Sequence, residues 1–127
     1  VPDFAFTSFG RVHGDPPHGS GLLVDLSEAL HNPQADPAMR ELTGLDPQVR
    51  RHVLATPGAE EIVERVVGRA LALLPYSAPP DDPVNVFVCC QDGRHRSVAV
   101  AEECARRLRR CGFTAETAHR HIARGTR

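Results

Sequence analysis

Val84-Asn85-Val86-Phe87-Val88-Cys89-Cys90 is a short Val-rich apolar run, the pattern of a strand buried on both faces. Gln91-Asp92-Gly93-Arg94 follows as a turn, and a helix is expected from His95 or Arg96 to about Cys111. Val98, Ala101, Ala105 and Leu108 form its inner stripe. Arg106, Arg107, Arg109 and Arg110 crowd its end, where the helix dipole favours cations, and Gly112 fits the C′ position. The first amides of a helix lack intrahelical partners and carry partial positive charge. A glycine loop can turn such amides toward one point, which makes the Cys90–Ser97 junction a candidate anion site. Arg96 can add a two-pronged guanidinium, Ser97 a hydroxyl, and His95 a group that titrates near neutrality. The plainer reading is a tight turn with solvated Arg and His. Asp92 counts toward it unless that carboxylate receives an amine from the ligand.

Outward from this stretch, strands and helices alternate. Phe4, Phe6 and Phe9 fall near period two, so residues 3–9 read as a strand. Residues 11–21 form a Gly/Pro/His loop, and Leu22-Leu23-Val24-Asp25-Leu26 a buried strand ending near Asp25. Asn32-Pro33 and Asp36-Pro37 leave residues 27–46 mostly loop. Asp46 is placed to cap a short helix over 47–55, and Thr56-Pro57 to start a longer one. In the longer helix Ile62, Val63, Val66, Val67, Ala70, Leu71 and Leu74 recur at helical spacing until Pro75. Residues 77–83 read as a connector, residues 114–118 as a last strand, and His119-Arg120-His121 as a solvated tail. The alternation gives an α/β fold: one layered domain over residues 1–127, with a small mixed or parallel sheet flanked by helices.

Composition narrows the function. The chain has 127 residues, 41% apolar and 24% charged, which is ordinary for a single globular domain and argues against a disordered tail. The net charge of −1 hides an asymmetry: residues 94–127 hold nine Arg against three Glu, and no residue is Lys. That balance leaves an anionic partner open and disfavours strong unspecific nucleic-acid binding. Cys89, Cys90, Cys104 and Cys111 do not read as a disulfide framework, and their spacing with His offers no zinc site. No metal and no cofactor are therefore expected. No apolar run reaches membrane-spanning length, and the start does not read as a signal peptide, so a cytoplasmic protein without membrane contact is expected. The sequence does not open on Met, which leaves an upstream segment open.

Two resemblances bear on the site. Cys90, Gly93, Arg96 and Ser97 satisfy Cys-x2-Gly-x2-Arg-Ser, which resembles the phosphate loop of cysteine-dependent phosphatases. In that chemistry Cys90 would be the nucleophile and Arg96 the phosphate clamp. A second resemblance covers most of the chain. Ser8-Phe9-Gly10, Gly14, Asp25, Asn32-Pro33, Asp36-Pro37, Arg40-x-Leu42-Thr43-Gly44-Leu45-Asp46, Cys90-x-x-Gly93-x-His95-Arg96-Ser97-Val98, Ala101-Glu102 and His119-Arg120 look like the C-terminal domain of the RapZ family. That domain follows a P-loop kinase-like domain, of which this chain carries no motif. The resemblance implies a fold similar to a sugar-phosphate-binding subdomain of phosphofructokinase. It also implies an adapter that senses glucosamine-6-phosphate and handles a regulatory RNA. Gln91-Asp92 stands where the family usually has Thr-Gly, Gln34 where a His is common, and Ser27-Glu28 where an Arg-Phe pair is expected.

The sequence thus points first to a binding module rather than an enzyme, with the phosphatase as its alternative. The expected ligand is a phosphorylated metabolite held by Asp25, Asn32, Gln91, Asp92, Gly93, His95, Arg96 and Ser97. RNA contact would fall to Arg94, His119, Arg120 and Arg124. A homo-oligomer and a separately encoded protein partner are both left open.

Overall fold

The computed structural model describes residues 1–76 and 82–123. Its elements are β1 (Phe4–Gly10), β2 (Leu22–Asp25), α1 (Pro47–Leu54), α2 (Ala59–Leu73), β3 (Val84–Cys90), α3 (Arg96–Arg110) and β4 (Ala115–His119). Short 3-10 turns lie at Arg11–His13, Pro33–Ala35 and Leu74–Tyr76. All strand pairs are parallel, in the order β2-β3-β1-β4. The sheet is therefore parallel rather than mixed.

The steps from β2 to β3 and from β3 to β4 cross the sheet in one direction. Right-handed crossovers then lay α2 and α3 on the same face. Alternation along the strands follows from this. Phe4, Phe6, Val84, Val86, Val88 and Cys90 join the core with the helices, while Ala5, Thr7, Asn85 and Phe87 between them are half-buried. The expected stripe of α3 is fully buried, but so are Val100 and Cys104. α1 and α2 pack on α3 beside the sheet and bury these two in the core, while the loop over residues 40–46 covers the first turn of α3 at Val98. The Gly44 amide donates to the Arg94 carbonyl at 2.9 Å.

Three local expectations need correction. Residue 58, not Thr56, caps α2: Gly58 sits at φ +91°, and the Thr56 hydroxyl instead accepts from the His31 amide and donates to the His52 carbonyl. Asp46 precedes α1, but its carboxylate turns back to accept from the Thr43 amide at 2.7 Å. His119-Arg120-His121 is no solvated tail: β4 runs to His119, and His121 is fully buried. Of the expected connector, residues 77–81 lie outside the described residues.

Candidate functional site

The carboxyl ends of β1, β2 and β3 and the start of α3 meet at one rim of the sheet, where ligands gather in open parallel sheets. The loop from β3 to α3 curls back onto β1. Gly93 has φ +73°, and a Cβ there would lie 2.4 Å from the Gly10 nitrogen. A Cβ on Gly10 would lie 2.3 Å from the Asp92 carbonyl. Only two glycines allow this approach.

Inside the curl, Cys90 Sγ accepts from the Gly93 amide at 3.3 Å and lies 3.2 Å from Ser97 Oγ. Both side chains are buried. The neighbouring Cys89 faces Asp25, and burial, with that carboxylate adding to it, pushes its thiol up to about 12. Such a thiol is inert at neutral pH.

Arg96 is 5% exposed. Its Nη1 donates to the carbonyls of Leu26, Ser27 and Ala29 at 3.1, 3.2 and 3.1 Å, which pins the segment after β2 to α3. The fork the sequence assigned wholly to a phosphate is thus partly structural. Arg96 makes no ion pair with any described residue, and its buried Nε has no hydrogen-bond partner among them. A buried cation whose partners are neutral carbonyls leaves positive potential at the rim. Its Nε edge suits an oxyanion.

The other expected ligand residues surround this point unevenly. His95 is 2% exposed, and its Nε2 donates to the Arg40 carbonyl at 3.2 Å. Burial pushes its imidazole below the ordinary 6.5. Asp92 is buried in the loop, its carbonyl accepting from His13 Nε2 at 3.1 Å. Gln91 is exposed. Asp25 is exposed at the end of β2. The Ser27 hydroxyl and amide hold its carboxyl below the usual range, and Arg11 lies 3.5 Å away. Asn32 caps the turn Pro33–Ala35 by accepting from the Gln34 amide. Gln34 Oε1 is buried without a hydrogen-bond partner among the described residues.

The described residues among those expected to contact RNA are engaged within the fold. Arg94 donates to the carbonyls of Glu41, Leu42 and Ile122, tying the covering loop to the chain end. Arg120 pairs with Asp15 at 2.8 Å. Arg124 lies outside the described residues. His119 Nδ1 lies 2.7 Å from Ser8 Oγ, and its Nε2 lies 2.7 Å from Glu102 Oε2. Burial works to raise the Glu102 carboxyl, and the bonds from His119 and Thr117 outweigh it. Ser8 is fully buried, so these three groups join β1, β4 and α3 rather than present a nucleophile. Sequence reasoning missed this linkage because it depends on the pairing of Ser8 with His119 across two strands. It also missed His13, whose ring lies 4.5 Å from that of His121. His121 Nδ1 accepts from the Gly10 amide at 2.8 Å, which makes that ring nitrogen unprotonated. Among the described residues, no group of three or more His, Cys, Asp or Glu side chains is arranged to hold a metal ion.

A family model described as the RapZ C-terminal domain matches residues 3–123. A nucleotide-binding protein of Rubrobacter xylanophilus is 53% identical over 102 residues, covering 80% of this chain and 33% of that protein. Nucleotide-binding proteins of Sphingopyxis alaskensis and Corynebacterium jeikeium are each 39% identical, over 95% and 92% of this chain and over 38% and 40% of their own lengths. The chain spans roughly a third to two-fifths of the relatives it matches.

Proposed function

Because the chain belongs to the RapZ C-terminal domain family, we propose that it is a sensor or adapter domain that binds a phosphorylated small molecule at the rim formed by residues 90–97. The observation that carries this reading is Arg96: buried, without an ion-pair partner among the described residues, and with its Nε unbonded at the start of a helix. A phosphoryl group supplies the missing negative charge and the missing acceptors. The first amides of α3 add donors on the same side. Asp92 is buried, and its carboxylate accepts no hydrogen bond from any described residue, so it suits an amine on the same ligand. A hexosamine phosphate such as glucosamine-6-phosphate has both groups. The four free cysteines fit a reducing, cytoplasmic setting, and among the described residues no helix is long and apolar enough to cross a membrane.

One observation favours the phosphatase reading: the Gly93 amide donates to Cys90 Sγ, as a group stabilising a thiolate would, although the thiol itself donates to Ser97 Oγ. The burial of Cys90 and the use of Arg96 Nη1 on carbonyls weigh against it. RNA binding would need basic groups beyond those already engaged in the fold.

Thermal shift and calorimetric titration with glucosamine-6-phosphate, glucosamine and inorganic phosphate test the proposal. The phosphorylated sugar is expected to bind with a positive shift. Arg96→Lys keeps the charge but loses the planar fork, and is expected to weaken binding about tenfold or more. Absence of any shift with phosphorylated sugars would overturn the reading. Turnover of p-nitrophenyl phosphate that disappears in Cys90→Ser would replace it with the enzyme. Salt-sensitive RNA retention on a filter, lost in Arg94→Ala, would add RNA as the ligand.

A further inference from the structure

We propose that the outer edge of β2, together with α2, is a docking groove for an extended acidic segment of another protein, which would pair with Leu22–Asp25 as an added strand. Among the described residues β2 is an edge strand, paired on one side only with β3. Its backbone groups on the other side are a template for a further strand. The features that blunt this edge are its four-residue length and one charge at its end, Asp25, which pairs with Arg11 at 3.5 Å. The strand contains no Pro and no Lys, and Leu23 at its centre is 61% exposed. Beside it lies a groove of about 290 Å³, floored by Val24, Leu26, Ile62 and Val66. A strand laid along β2 would send alternate side chains into this groove.

Charge selects the occupant. Arg65 and Arg69 line the groove one helical turn apart on α2, and the carboxylate that also lines it, Asp25 at the end of β2, is paired with Arg11 at 3.5 Å. Both arginines of α2 are exposed, and neither is ion-paired with any described residue. A carboxylate-bearing segment answers both. A second copy of this chain does not: two-fold pairing of β2 with itself would bring the same arginines of the two copies toward each other. The incoming segment therefore alternates apolar and acidic side chains. The groove shares Leu26 and Ala29 with the segment whose carbonyls Arg96 holds, but its charge test falls on Arg65 and Arg69, which the ligand reading does not use, so the two can fail separately.

A blocked hexapeptide of alternating Glu and Val, titrated into the ¹⁵N-labelled chain, tests this directly. Saturable amide shifts are expected at residues 22–25, and none are expected with the matching Lys-Val peptide. In the double variant Arg65→Glu, Arg69→Glu the Glu-Val peptide should weaken about tenfold, and the Lys-Val peptide should bind in its place. Both positions are exposed, so the spectrum itself reports that the variant is folded. Unperturbed residues 22–25, or equal binding of the two peptides to the unmodified chain, would overturn the proposal. So would sedimentation as a dimer that Leu23→Glu returns to monomer, because the edge would then be occupied by a second copy.

Discussion

His95 carries a pH dependence that can be read at a single side chain. It is 2% exposed and bonded through Nε2 to the Arg40 carbonyl, and burial depresses its pKa from 6.5. The folded chain keeps this ring neutral at pH values where the unfolded chain protonates it. The unfolded state then binds more protons, so the contribution of His95 is fully present above about pH 6.5 and is lost as the pH falls. The loss runs at up to about 1.4 kcal/mol per pH unit. Urea titrations between about pH 7.5 and 5.5 should record that slope. His95→Gln keeps a donor for the Arg40 carbonyl and should flatten it, whereas an unchanged slope in the variant would place the titration elsewhere. Asp25 and Glu102, whose carboxyls are depressed, act in a separate window: they stabilise above the ordinary carboxylate range and lose that contribution at lower pH. The candidate site was legible at this scale as residue types. Gly93 preceding Arg96 and Ser97 could be read as a loop and a cation. The partners of Arg96 Nη1 could not, because Leu26, Ser27 and Ala29 lie some 70 residues upstream and offer only backbone carbonyls.

The start of α2 separates local signal from tertiary use. Thr56-Pro57 has the composition of a helix start, yet the Thr56 hydroxyl bridges the His31 amide and the His52 carbonyl, and the helix begins after Gly58. Gly58 is left-handed, and a Cβ on it would meet no atom within 4 Å. A substitution there therefore costs backbone strain without a clash. Gly58→Ala should lower stability by about 1 kcal/mol, and Gly58→Asn by less, because Asn tolerates the left-handed region. Thermal unfolding of the two variants checks the order; equal losses would point to a contact not seen here. Local pattern was enough for β3, α1 and α3: an apolar run, a Pro after a capping residue, and a stripe at helical spacing. It failed for the chain after β4, where Arg120 and His121 look solvated in sequence but are fastened to Asp15 and Gly10.

At the scale of the molecule, the fold decides which thiols can react. Cys89, Cys90 and Cys104 are buried and Cys111 is exposed. Burial pushes the Cys89 and Cys104 thiols up to about 12. Iodoacetamide at about pH 8 should therefore modify one cysteine, Cys111, in the native chain and all four after unfolding, as counted by mass spectrometry. Rapid modification of Cys90 would instead reveal an accessible thiolate and strengthen the phosphatase reading. The α/β class was legible from the alternation of elements, but the order β2-β3-β1-β4 was not, since no local pattern states that β1 lies between β3 and β4. The contact between Gly10 and Gly93 has a hereditary consequence. Gly93 forbids a side chain because of the Phe9 and Gly10 backbone, and Gly10 because of the Asp92 and Gly93 backbone, so no side-chain change at a neighbour makes room for either. The pair must pass through descent unchanged while this curl persists, and drift around the rim is left to outward positions such as Gln91.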